Sequence, residues 1–156
     1  MSTRIVSVAE GRRLTRSVAV GTHRLTADEP EPVSADEGPT PGELLLAALG
    51  SCTSMAVRAY ADRHGWPLRS IDVAVRFDAH GGIVKNVGLT GDLDPRQHEQ
   101  LMAVAARCPV HRLLTRDVTV VTVPALLAEP PEPDAGGATT GAAPVTTGAG
   151  RSTARG

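Results

Sequence analysis

The chain has 156 residues, enough for one domain with a substantial core, and its 16 Lys plus Arg nearly balance 17 Asp plus Glu. A net charge of −1 supplies no long-range field to gather nucleic acid or an anionic membrane, so neither partner is expected. The opening "MSTRIVSVAEGRRLTR" holds no apolar run of signal-peptide length, and no apolar stretch is read as reaching bilayer-spanning length, which predicts a cytoplasmic protein.

In chain order, "RIVSVAE", "RLTRSVAV" and "HRLTAD" are short β-like runs separated by "GRR" and "GT", the spacing of a meander of hairpins. The acidic, Pro-containing "DEPEPVSADEGPTP" is too rich in breakers for regular structure. It ends in a helix start: Thr40 as cap, Pro41 at the first helical position and Glu43 where a capping-box carboxylate reaches back. The helix runs to about His64, where "HGWP" stops it. From Leu44 to Val57 it has no polar face, which predicts burial on all sides and favours a dimer that covers its second face.

"IDVAVRF" alternates as a half-buried strand, with "IVKNVGLTG" after "HGG" as its hairpin partner. The latter contains Lys85, the only lysine, to which no function is attached. A second helix opens at "DPRQ" with Asp94 as cap and breaks at Pro109. A short helix "VHRLLT" and a last strand "DVTVVTV" complete the order βββ-α-ββ-α-α-β, an α+β fold with mainly antiparallel pairing. The domain is read as residues 1–125. Residues 126–156, rich in Pro, Gly, Ala and Thr, are expected to be a disordered tail.

Two cysteines form no CxxC motif and are too few for a cysteine-rich zinc site. Cys52 is flanked at helical spacing by Ala48, Leu49, Met55 and Ala56, a setting that suits an inert core cysteine and raises the pKa of a thiol. To react, Cys52 needs a positive group nearby. Cys108 precedes Pro109, which suits the first position of a helix, so its sulfur has access to backbone N–H groups that favour an anion. His23, Arg16, Arg24 and His111 are the candidate activators, each equally readable as a surface residue.

"ADEP", "GPTPGELLLAALGSCTSMAVRAYADRHGWPL" and "CPVHRLL" together closely resemble the OsmC/Ohr family of thiol-dependent hydroperoxide reductases, most of all its OsmC-like branch, over about residues 4–124. The resemblance implies an intertwined homodimer in which antiparallel sheets wrap paired central helices, with active sites at the subunit interface. It also implies reduction of organic hydroperoxides, with Cys52 as the peroxidatic and Cys108 as the resolving cysteine. A dithiol such as a lipoyl group would be the reductant, and this chemistry would need no metal and no organic cofactor. The apolar wall of Leu45, Leu49 and Met55 would suit an organic hydroperoxide. The family's helix-opening glutamate is replaced by Gly42, with Glu43 one residue later, about 100° around the helix. Possible thiolate activators are therefore His23, which matches a histidine of the OsmC-like branch, Arg24 and Glu43, the last also explained by its capping-box position. The alternative is a small-molecule-binding or redox-sensing dimer with little peroxidase activity.

Overall fold

The computed structural model describes residues 4–124; the expected tail, 126–156, lies outside them. The chain divides into two units after Thr119, and every regular element among the described residues belongs to the first. Strands β1 (Val6–Glu10), β2 (Arg16–Val20) and β3 (His23–Ala27) form an antiparallel sheet in the order β1-β2-β3. Its second hairpin turns at Gly21, whose φ of 61° lies in the left-handed region that glycine enters at no steric cost. β1 is solvent-exposed along its whole length, and β3 is exposed except at Ala27.

The acidic loop that follows has no regular structure but does have a centre, the buried Asp28. Its carboxylate accepts from the Thr15 hydroxyl at 3.2 Å and from the backbone N–H groups of Glu29 at 2.8 Å and Glu37 at 3.1 Å. The buried Ser34 hydroxyl beside it, though it makes no well-formed hydrogen bond, is the largest influence holding this carboxyl well below the usual range. The three donors add to that effect, and burial opposes it.

Helix α1 (Pro41–Arg63) begins on the expected capping box: Glu43 N–H donates to Thr40 Oγ1 at 3.2 Å, and Thr40 N–H donates to Glu43 Oε2 at 2.8 Å. It ends in a Schellman arrangement, with Trp66 N–H on Ala61 O at 2.9 Å, Gly65 N–H on Asp62 O at 3.2 Å and Gly65 at φ 63°. Two expectations change here. Within one chain α1 is buried along one stripe, Leu49, Thr53, Val57 and Ala61, while Met55 on another face is 72% exposed. And its 23 residues, with a mean hydropathy of 1.4 over the most apolar window, are long and apolar enough to cross a membrane by composition, contrary to the sequence reading. The buried stripe instead packs α1 against the rest of the fold as a core helix.

Strands β4 (Leu68–Phe77) and β5 (Ile83–Gly91) form a separate antiparallel hairpin. α1 lies across β4 at Gly50, where an added Cβ would come within 3.3 Å of Val75 Cγ2, so the missing side chain sets the approach of helix to sheet. Helix α2 (Pro95–Ala105), capped by Asp94 and Gln97, packs on α1 and supplies Leu101 and Ala105 to a core shared with Val57, Ala61 and Leu68. Helix α3 (Pro109–Leu114) follows and also touches α1. The expected last strand "DVTVVTV" does not form. No strand among the described residues offers it a ladder, and an unpaired extended run has nothing to satisfy its backbone groups.

Candidate functional site: a cysteine pair with a lysine behind it

The site is built from α1, α3 and β5. Cys52 is half-buried on α1, one position before the fully buried Thr53. Cys108 is 1% exposed and occupies the N-cap of α3, where its Sγ accepts from His111 N–H at 3.4 Å. The packing of α3 on α1 brings both thiols together, and they influence each other directly. Both are free cysteines.

Thr53 joins them to a third element. Its Oγ1 lies 3.4 Å from Cys108 Sγ and 2.8 Å from Leu49 O, so its single proton has two acceptors to choose between. Lys85 of β5 donates to the same oxygen at 3.1 Å and to Ala105 O, at the C-terminal end of α2, at 2.5 Å. A cation at the negative end of a helix is favourably placed. Behind Thr53 there is thus a fixed positive charge.

The two thiols diverge in consequence. Burial pushes the Cys52 thiol up, and the Cys108 sulfur beside it adds to the rise. The Val110 N–H and the Lys85 charge oppose it without cancelling it. Burial also works against the Cys108 anion, but there it is outweighed by the Thr53 hydroxyl, the His111 N–H, the Cys52 thiol and the Lys85 charge, and the Cys108 pKa falls. The fixed donors around the pair, the Thr53 hydroxyl and the His111 N–H, face the Cys108 sulfur.

A cavity of about 340 Å³ is lined by Lys85 and His111 together with Leu49, Gly81, Ile83, Leu114 and Thr115; neither cysteine lines it. Of the three expected wall residues only Leu49 lines it; Leu45 is 39% exposed and Met55 points outward. Of the expected activators His111 is at the site, through its N–H on Cys108, whereas Arg16 is held by the Arg13 and Thr15 carbonyls and His23, Arg24 and Glu43 also lie elsewhere. His23 and Arg24 lie on the exposed β3, where Arg24 is occupied with Gly21 O at 2.8 Å and His23 O at 3.1 Å. Glu43 is held in the α1 cap, its carboxyl lowered first by the Thr40 N–H and then by the Thr40 hydroxyl. Lys85 escaped the sequence reading. The signal was present: it falls on the inward-facing set of β5 with Val87 and Leu89, an unusual place for a charge.

The family model described as OsmC-like protein matches residues 34–123, more than half of the chain and a span that contains both cysteines, Thr53 and Lys85. The chain belongs to the OsmC-like family. Solved structures of the same fold include an OsmC-like protein from Mycoplasma pneumoniae, 15% identical with a TM-score of 0.60 over 72% of this chain and 87% of that one. A hypothetical protein from Aquifex aeolicus is 19% identical with a TM-score of 0.61 over 73% and 88%. An organic hydroperoxide resistance protein OsmC from Legionella pneumophila is 22% identical with a TM-score of 0.51 over 74% and 90%. No curated protein matches the sequence. At these identities the likeness is one of fold, and the OsmC-like α+β architecture with antiparallel sheets is common to them.

Proposed function

We propose that this OsmC-like protein reduces organic hydroperoxides through Cys52 and Cys108. The observation that carries this reading is the pairing of a half-buried Cys52 with a buried Cys108 whose anion is favoured by Thr53, Lys85 and the His111 N–H. Two interacting thiols suit the pattern of attack and resolution, and the cavity lined by Leu49, Ile83 and Leu114, next to Lys85 and His111, offers apolar room nearby. Cys52, the more exposed sulfur, attacks the peroxide oxygen and becomes a sulfenic acid; Cys108 condenses with it to a disulfide; an external dithiol, of lipoyl type or another class, restores both. Membership of a family that includes organic hydroperoxide resistance proteins supports a peroxide-related role.

The working form in this proposal is a homodimer. Ile5, at 81% exposure, and Met55 leave apolar surface on the first sheet and on α1 that a second copy would cover. A partner's β3 would be the means by which His23 or Arg24 approached the cysteines. Without such a partner none of His23, Arg24 and Glu43 reaches the cysteines, and this favours one other reading, a redox-sensing or small-molecule-binding dimer with little turnover. Hydroperoxide consumption separates the two. Wild type with a dithiol should turn over cumene hydroperoxide, and Cys52→Ser should abolish it; equal rates in wild type and Cys52→Ser would rule out the peroxidase.

A further inference from the structure

We infer that Lys85, acting through the Thr53 hydroxyl, holds the negative charge of the pair on Cys108, and that Cys108 is in turn the group that takes the proton from Cys52. The inference rests on the peroxidase reading for its chemistry but on its own geometry for the placement of charge.

The chain of contacts is short and largely buried: Lys85 Nζ to Thr53 Oγ1 at 3.1 Å, and Thr53 Oγ1 to Cys108 Sγ at 3.4 Å. With Cys108 protonated, the Thr53 proton is satisfied on Leu49 O; with Cys108 ionised, it turns to the sulfur, and the lysine that donates to the same oxygen strengthens it as a donor. Lys85 is anchored from behind by Ala105 O, so its charge stays in place while the hydroxyl reorients. Among the described residues, Lys85 of β5 is the charged side chain acting on both sulfurs. α1 presents Thr53, α2 presents the Ala105 carbonyl, and α3 presents His111, which lines the cavity. The lowered Cys108 and raised Cys52 thiols agree with this division.

The division suits the exposure of the two sulfurs. The accessible Cys52 is the sulfur a hydroperoxide can reach, yet it is the one whose thiolate is disfavoured; the buried Cys108 holds the charge but is shielded. Proton transfer reconciles them. Cys52 S–H passes its proton to the Cys108 thiolate, and the new Cys52 thiolate attacks the terminal oxygen of ROOH, breaking the O–O bond to give Cys52–SOH and RO⁻. Cys108 S–H returns the proton to RO⁻, releasing ROH. The regenerated Cys108 thiolate then attacks the Cys52 sulfur, forms the disulfide and expels hydroxide. The two sulfurs lose two electrons, the peroxide gains them, and the single negative charge of the pair leaves as hydroxide. Cys108 would act as base, then acid, then nucleophile, with Lys85 and Thr53 as positioning residues.

Thiolate absorbance followed against pH tests this without any hydroperoxide. Wild type should show one thiolate forming below the ordinary cysteine range, about 8.5. Cys52→Ser should keep it, Cys108→Ser should lose it, and Lys85→Met should move it upward while Lys85→Arg restores part of the shift. Thr53→Val, which leaves the lysine in place, should move it in the same direction and serves if Lys85→Met does not fold. In single-turnover oxidation, Lys85→Met should slow Cys52 attack by about a hundredfold at neutral pH and recover at high pH. A low-titrating thiolate that survives in Cys108→Ser, or that neither Lys85→Met nor Thr53→Val moves, overturns the inference. If the titrations behave as expected but wild type consumes no hydroperoxide, the peroxidase reading falls and the charge placement stands. If wild type turns over with its early thiolate on Cys52, the reverse holds.

Discussion

The two halves of the molecule solve the problem of burial differently. Around α1, α2 and the β4–β5 hairpin, Val57, Ala61 and Leu101 have no exposure at all, and Thr53 and Cys108 are sealed beside them. The β1–β3 sheet has good ladders and a strong anchor in Asp28 but almost no interior: Ile5 is 81% exposed and all of β1 faces solvent. Burial is thus spent where the thiols are. A buried thiolate needs fixed donors, and only the half with a closed core can hold Lys85, Thr53 and Cys108 in register. The open half instead leaves apolar side chains such as Val6, Val8 and Leu25 exposed.

Mutations can break or sharpen that contrast. The largest effect should come from the closed half: Leu101→Ala removes a fully buried side chain and should cost about 2–5 kcal/mol in denaturant unfolding. Next is the anchor of the open half. Because the Asp28 carboxyl is depressed in the folded state, it contributes stability above the ordinary carboxylate range, and that contribution is lost as the pH falls from there toward its own lowered value. Asp28→Asn should therefore lower the thermal midpoint at neutral pH and flatten its fall on acidification. Thr40→Ala, which breaks the α1 cap, should cost about 1 kcal/mol, and hydroperoxide turnover per folded molecule should not change. The smallest effect should be Val8→Ala, within about 0.5 kcal/mol if the sheet stands alone. A much larger, concentration-dependent loss there would mean that a partner covers β1, and sedimentation of Val8→Asp would then show dissociation.

Most of the closed half was legible in the sequence because its signals are local. Thr40 with Glu43 and Asp94 with Pro95 mark helix starts by the chemistry of caps, "HGWP" marks a stop, and the alternation of Ile71, Val73 and Val75 marks a strand. What was not legible depends on convergence. Lys85 is 32 residues from Thr53 and 23 from Cys108, and only the fold of β5 under α1 and α3 makes it part of the site. The order of the Asp28 loop was hidden for the same reason, since its donors come from Thr15, Glu29 and Glu37. The expected last strand failed because composition favours extension but only a neighbour makes a strand. The uniformly apolar stretch of α1 suggested burial on all sides, but within the chain only the stripe of Leu49, Thr53, Val57 and Ala61 is buried, because the partners that cover a helix lie far from it in sequence.

The central claim is that Cys52 and Cys108 are one redox unit, and the intact mass of the reduced protein after one equivalent of cumene hydroperoxide tests it most directly. Wild type should lose the mass of two hydrogens as the disulfide forms, and Cys108→Ser should gain the mass of one oxygen as the Cys52 sulfenic acid accumulates. An unchanged wild-type mass, or a Cys108→Ser protein that gains no oxygen while wild type still loses hydrogen, would contradict it.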